Sequence, residues 1–174
     1  MKTVKDYILT IPDFPEPGIM FRDITSILQD AEGFNLAINE MAKRLENIEF
    51  DAIAGLESRG FIMGAPLAYI FKKPFIPIRK EGKLPRDVIS TEYELEYGTA
   101  KIEIHTDAIK PGDKVVLIDD LIATGGTILA GAKLIEALKG KVVKMLFLIE
   151  LEGLNGRSKL NGYDVESIAS YEGK

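Results

Sequence analysis

Residues 115–127 of this 174-residue chain read Val-Val-Leu-Ile-Asp-Asp-Leu-Ile-Ala-Thr-Gly-Gly-Thr, an order that carries chemistry. The four apolar, mostly β-branched residues at the front have the pattern of a buried parallel strand. Two adjacent carboxylates follow, Asp119 and Asp120. A short turn then runs through Ala123, Thr124, Gly125, Gly126 and Thr127 into a helical pattern. A strand, a glycine-bearing turn and a helix start together form an anion-binding nest, where backbone N–H groups converge and the helix dipole favours negative charge. Carboxylates repel a phosphate, so the natural partners of the two acids are hydroxyls, which donate to them. An anion on one side and a diol on the other describe a ribose 5-phosphate. A glycine turn after a strand is common, and loop acids can be merely solvated. Paired acids at the C-terminal end of a strand, where α/β proteins bind ligands, favour the site. No Gly-Lys-Ser/Thr ending and no G-x-G-x-x-G accompanies the turn.

Four more strings hold residues that could join such a site. Residues 55–60, Gly-Leu-Glu-Ser-Arg-Gly, repeat the strand-turn-helix order. The amides of Ser58 to Gly60 and the Arg59 guanidinium suit a second anion. The plainer reading is a helix N-cap at Ser58 and a solvent-facing arginine. Next to the first nest, a second anion site fits a substrate carrying two phosphate groups. Residues 79–85, Arg-Lys-Glu-Gly-Lys-Leu-Pro, are either a solvated charged loop or a lid whose cations close over a polyanion. Glu96 alternates with Glu92 and Glu94, and composition does not separate it from them. Phe21, flanked by apolar residues, reads as core or as a platform for a planar base. His105 is the single histidine, and with no cysteine the chain offers little to zinc. There is no G-x-S-x-G elbow.

These residues need elements to hold them. Residues 3–9 suggest a short helix. Residues 11–20 contain Pro12, Pro15, Pro17 and Gly18 and must be irregular. Residues 33–46 show helical spacing at Phe34, Ala37, Ile38, Met41 and Leu45. A strand is expected over 51–56, a buried helix over 58–71 and a short strand over 75–78. Residues 79–86 are basic, contain Gly82 and Pro85, and predict a mobile loop. Residues 88–95 and 99–105 alternate and predict a two-stranded antiparallel flap. Pro111, Gly112 and Asp113 form a turn ahead of the signature strand. A helix over 127–139 should stop at Gly140. A buried strand over 142–151, a helix or loop over 153–160 and a last strand over 165–171 complete the chain. The alternation gives an α/β fold: a mostly parallel twisted sheet flanked by helices, with an antiparallel flap and a small N-terminal hood. One domain, 1–174, is expected, with the hood over 1–32 and the mobile catalytic loop and flap over 79–105.

Composition bounds the partners. The formal net charge is -5 and no basic run offers a stripe for tracking nucleic acid. The absence of cysteine fits a reducing cytoplasm. The first residues lack the apolar core of a signal peptide, and no run approaches the ~18 apolar residues of a membrane span.

The string over 115–127 closely resembles the phosphoribosyl-diphosphate signature of the type I phosphoribosyltransferases. Glu57-Ser58-Arg59 within GLESRGF, the string RKEGKLP, LEYG at 95–98 and PEPGIMFRDI at 15–24 extend the resemblance to nearly the whole chain. They narrow it to the branch that takes adenine. The resemblance implies transfer of a phosphoribosyl group from 5-phosphoribosyl 1-diphosphate to adenine, giving AMP and diphosphate in purine salvage. It implies that Asp119 and Asp120 hold the ribose hydroxyls and that residues 123–127 wrap the 5-phosphate. Glu57, Ser58, Arg59, Arg79 and Lys83 would hold diphosphate, with a non-proline cis peptide at Glu57–Ser58. Glu96 would be the general acid/base, with Tyr97 beside the reaction centre. Main-chain groups at Met20 and Arg22 would read the base edge, with Phe21 packed on its ring. Mg²⁺ is implied, held mainly through substrate, with Asp119 or Asp120 as a possible direct ligand. A cytoplasmic homodimer is implied, with no nucleic-acid or membrane partner. Glu81 departs from the basic residue that some members carry.

Three rival readings are open at the level of sequence. A relative acting on a 6-oxopurine is opposed by the hood string and LEYG. A non-catalytic regulator normally adds a DNA-binding segment, and this chain has no basic helix-turn-helix. A generic nucleotide-binding module leaves the cationic loop without a purpose.

Overall fold

Seven strands form the main sheet of the computed structural model, which describes residues 2–95 and 98–173. In chain order the strands are β1 (Leu9–Pro12), β2 (Met20–Asp23), β3 (Ala52–Leu56), β4 (Phe75–Lys80), β5 (Val88–Glu94), β6 (Thr99–His105), β7 (Lys114–Ile122), β8 (Lys141–Leu151) and β9 (Val165–Tyr171). The helices are α1 (Ile24–Leu28), α2 (Ala31–Lys43), α3 (Arg59–Phe71) and α4 (Gly126–Ala137). The main sheet runs β5-β6-β4-β3-β7-β8-β9, with β4, β3, β7, β8 and β9 mutually parallel. Strands β1 and β2 form a separate antiparallel pair.

The apolar alternation of β7 explains the layering. Val116 and Ile118 join a core with Ile38, Met41, Met63 and Leu67 of α2 and α3. Val115 and Leu117 join a second core with Ile128, Leu134 and Ile135 of α4. A central parallel strand covered on both faces must be apolar at every position, and residues 115–118 are all buried. Each such side chain contributes roughly 1.5–3 kcal/mol by leaving water.

Local signals account for most boundaries. Asp30 caps α2, accepting from Gly33 N–H at 2.8 Å, and Asp23 caps α1, accepting from Thr25 N–H at 2.9 Å. Helix α4 ends at Ala137, two residues earlier than the glycine signal suggests. Lys139 takes the left-handed conformation at φ 63°, and Gly140 donates back to the Ile135 carbonyl at 3.0 Å. Residues 153–160 are short 3-10 turns, and the helix expected near the start is a 3-10 turn over Val4–Tyr7.

Two expectations need correction. The proline-rich front is not wholly irregular, because Leu9 to Pro12 pair in register with Asp23 to Met20. Arg79 and Lys80 belong to β4 rather than to a loop, since they pair with Glu103 and Ile102 of β6. The expected antiparallel pair is present as β5 and β6, and the same β4 pairing joins it to the main sheet, with Ile102 and Ile104 as core residues.

Candidate active site

Strand β7 carries the two acids to its C-terminal end and stays regular beyond them, through Ile122. Strand, turn and helix then follow in sequence. Gly125 sits at φ 79°, a conformation that glycine adopts without steric cost, and α4 begins at Gly126. A cleft of about 210 Å³ opens here, lined among others by Arg59, Asp119, Asp120, Thr124, Gly126 and Thr127, and also by Ala123 and Gly125. All seven residues expected to hold ribose and 5-phosphate therefore share one cavity, together with one expected diphosphate ligand.

The acids differ in surroundings. Asp120 is buried, and its Oδ2 lies 2.7 Å from Arg59 Nε. The angle is too poor for a hydrogen bond, so among the described residues this oxygen is matched in charge but has no donor. Asp119 is partly open to the cleft, and its Oδ1 accepts from the Asp120 N–H at 2.9 Å. Desolvation first, and then the charge of Asp120, push the Asp119 carboxyl well above the usual carboxylate range. Two acids in one pocket, with one buried oxygen of Asp120 that no described residue donates to, form an acceptor site for hydroxyls or a hard cation.

Gly60 explains how Arg59 reaches the acids. A Cβ at Gly60 would lie 3.0 Å from both Asp119 Oδ1 and the Ile118 carbonyl. Only a residue without a side chain lets the first turn of α3 approach β7 so closely. The Glu57–Ser58 peptide ahead of it is cis, as the resemblance implied. Ser58 occupies the N-cap position without a side-chain capping bond, so the simple capping reading does not describe it.

The other expected ligands lie around the cleft rather than in its lining. Glu57 accepts from Arg79 Nη2 at 3.0 Å and from the Lys80 N–H at 2.8 Å. Burial opposes ionisation of Glu57, but these bonds hold its carboxyl below the usual range. Arg79 also donates to the Lys83 carbonyl at 3.3 Å, which draws the cationic string towards Glu57. Glu81 lies 3.4 Å from Lys101 Nζ, so the acid that departs from the family's pattern has its own counter-ion on β6. At the hood, Phe21 is half-buried with its ring edge-on to Phe14 at 5.1 Å, and Met20 is exposed. The Arg22 guanidinium stacks 4.1 Å from the Tyr171 ring, tying the hood to the last strand. Glu96 and Tyr97 lie outside the described residues. Glu94, at the end of β5, reaches the glycine turn: its carbonyl would be 3.8 Å from a Cβ on Gly126.

Gly156 was not singled out by sequence, yet it backs the turn. A Cβ on Gly125 would lie 2.5 Å from the Gly156 carbonyl oxygen. Two glycines in residues 153–156 hint at a close approach of backbones, but nothing in their spacing says to what.

A phosphoribosyl transferase domain model matches residues 24–170. The adenine phosphoribosyltransferase of Agathobacter rectalis is 66% identical over 174 residues, covering all of both chains. Among solved structures, the adenine phosphoribosyltransferase of Thermoanaerobacter pseudethanolicus superposes with a TM-score of 0.92 at 55% identity, covering 97% of this chain and 98% of that one. The Saccharomyces cerevisiae adenine phosphoribosyltransferase, complexed with D-2,5-dideoxy-2,5-imino-altritol 1,6-bisphosphate and adenine, has a TM-score of 0.88 at 38% identity. It covers 95% of this chain and 96% of that one.

Proposed function

This chain belongs to the phosphoribosyl transferase family, and from that membership we infer its reaction: adenine displaces diphosphate from 5-phosphoribosyl 1-diphosphate, giving AMP, as in purine salvage. The observation that carries this reading is the single cleft in which paired acids, a glycine turn at the start of α4 and the Arg59 guanidinium meet.

The chemistry follows from those groups. The bond broken is at the anomeric carbon, so positive charge develops on the sugar as in glycoside cleavage. The protein fixes the two ends of a flexible polyanion and stabilises the leaving diphosphate, which converts the attack into an oriented, near-unimolecular step. Residues 123–127 bind the 5-phosphate through main-chain amides, and Asp119 and Asp120 accept from the ribose hydroxyls. Arg59, Arg79, Lys83 and the loop at Glu57 and Ser58 hold diphosphate. Glu96 takes the ring proton of adenine, with Tyr97 beside it. Met20 and Arg22 read the base edge through main-chain groups, which suits adenine's donor amine next to an acceptor nitrogen. A 6-oxopurine would leave those groups unpaired.

Mg²⁺ fits this site as a substrate-borne ion. Among the described residues no group of three or more acids or histidines could cage a metal. The buried, donor-free oxygen of Asp120 with Asp119 supplies hard oxygen ligands. When bound, Mg²⁺ neutralises charge on the diphosphate.

We read the assembly as a cytoplasmic homodimer. In support, the outward face of α3 carries Ile62, Ala65, Pro66 and Tyr69 at helical spacing. Tyr69 is 85% exposed and Ile62 38%. Such a stripe favours a protein partner. No helix among the described residues is long and apolar enough to cross a membrane. Residues 1–174 act as one domain, with 1–32 as the hood and 79–105 as the catalytic loop and hairpin.

The test is turnover of the donor with adenine, hypoxanthine, guanine and xanthine in the presence and absence of Mg²⁺. Adenine alone should be consumed rapidly, and only with the metal. Preference for a 6-oxopurine overturns the base assignment.

A further inference from the structure

The segment that follows β8 is tied down by side chains that take no part in the chemistry above. Glu150, near the end of β8, is 6% exposed. It accepts from Arg157 Nε at 2.6 Å and from Arg157 Nη2 at 2.7 Å. Arg157 Nη1 donates to the Val165 carbonyl at 2.7 Å, and Ser167 Oγ donates to Glu150 at 2.6 Å. This forked, charge-assisted pair fixes both position and orientation of the guanidinium. The Arg157 hydrogen bonds hold the Glu150 carboxyl below the usual range despite its burial.

The residue before Arg157 is Gly156, whose backbone lies directly against the phosphate turn. A Cβ on Gly156 would clash with the Ala123 carbonyl oxygen and lie 2.9 Å from Ile122 Cγ1. From the other side, a Cβ on Gly125 would meet the Gly156 carbonyl at 2.5 Å. Backbone therefore rests on backbone, with no side chain between to absorb a shift. The carbonyl of Asn155, which adopts φ 52°, accepts from Ser158 Oγ at 2.8 Å, so the 3-10 turn over Gly156–Lys159 is braced at its start.

We propose that Arg157, gripped by Glu150 and Ser167, is a positioning residue for the donor's 5-phosphate: it seats Gly156 as the floor on which residues 123–127 take their binding shape. The proposal rests on the reading of that turn as the phosphate site. A turn whose amides must converge on one anion tolerates little displacement, because an error of about 1 Å in such a site costs about a hundredfold.

The test compares wild type with Arg157→Ala, Arg157→Lys, Glu150→Gln and Gly156→Ala. Lys144→Met serves as the control for lost stability. Lys144 is buried on the same strand and pairs with Asp164 and Glu166, away from the turn. The KM for the donor and the Kd for ribose 5-phosphate should rise about tenfold to a hundredfold, with the KM for adenine within about twofold of wild type. Arg157→Lys keeps the charge but not the fork, so it should behave like Arg157→Ala. Lys144→Met should lower Tm and leave both donor constants in place. Unchanged donor constants in Arg157→Ala and Gly156→Ala overturn the proposal. So does an equal loss of donor affinity in Lys144→Met at matched Tm. If Arg157→Ala does not fold, Ser167→Ala, which removes one donor from Glu150 and leaves the ion pair, should show the same donor-specific shift at smaller amplitude. Its absence there is equally decisive. Wild type that binds no ribose 5-phosphate removes the phosphate-site reading and this proposal together. Wild type and variants that bind equally remove the proposal alone.

Discussion

Gly125 is where the turn is least tolerant of change. It needs a positive φ of 79°, and a Cβ would strike a backbone oxygen rather than a side chain that can rotate away. Gly125→Ala should therefore lower affinity for AMP by at least about tenfold in calorimetry. Gly126→Ala, whose Cβ would meet nothing nearer than 3.8 Å, should fold with wild-type Tm. A pH effect belongs to Glu57. Its carboxyl is depressed in the folded state relative to its ordinary value of 4.5. A depressed acid stabilises the fold above its unfolded pKa and loses that contribution as pH falls through the folded one. Denaturant titrations should show Glu57→Gln less stable than wild type at pH 7, with the gap closing as pH drops below 4.5. A gap that stays constant with pH removes the ionic account. At this scale the sequence was informative about the turn at residues 123–127, because paired acids directly ahead of a glycine turn at a strand's end single that place out where either feature alone would not. It was silent on Gly156 and on the Arg59–Asp120 contact, which join residues far apart in the chain.

Among the elements, β7 decides the architecture. Leu117 is fully buried between β7 and α4, and Leu117→Ala should cost about 2–5 kcal/mol of unfolding free energy, measured by denaturant titration. A loss below about 1 kcal/mol would mean that the α4 layer is loosely packed. Periodicity was enough to find β3, α2, α3, β7, α4, β8 and β9 within a few residues, because each is long or bounded by glycine or proline. It failed where the period alone is ambiguous. Residues 88–105 alternate like any hairpin, and nothing local says that β6 also pairs with β4. The short β1–β2 pair was hidden by prolines, since Pro12 closes a strand whose other residues pair normally.

For the whole molecule, the exposed apolar face of α3 sets the prediction. On the proposed homodimer reading, wild type should sediment as a dimer and Tyr69→Asp as a monomer, and a Tyr69→Asp dimer would place the contact elsewhere. The net charge of -5 opposes an anionic donor at long range, so on the proposed reading capture would fall to local cations such as Arg59, Arg79 and Lys83, and the donor KM should rise with added salt. Arg79 stands just ahead of the 81–87 span and Lys83 lies within it. Lys80 ends one strand beside β6 and Val88 opens another on its far side, so residues 81–87 are a bridge hung from two fixed posts of a single sheet. The posts stand two strand spacings apart across β6 and three residues apart along it, opposite Ile102 and His105, or about 14 Å, while seven residues can stretch to about 25 Å. Glu81 still donates to the Lys101 carbonyl and Asp87 accepts from the Thr106 N–H, so the slack belongs to residues 82–86. On the proposed reading of this string as a lid, the span would shut by bending between its two abutments, and substrate would enter and leave with the ladder bonds of the sheet intact.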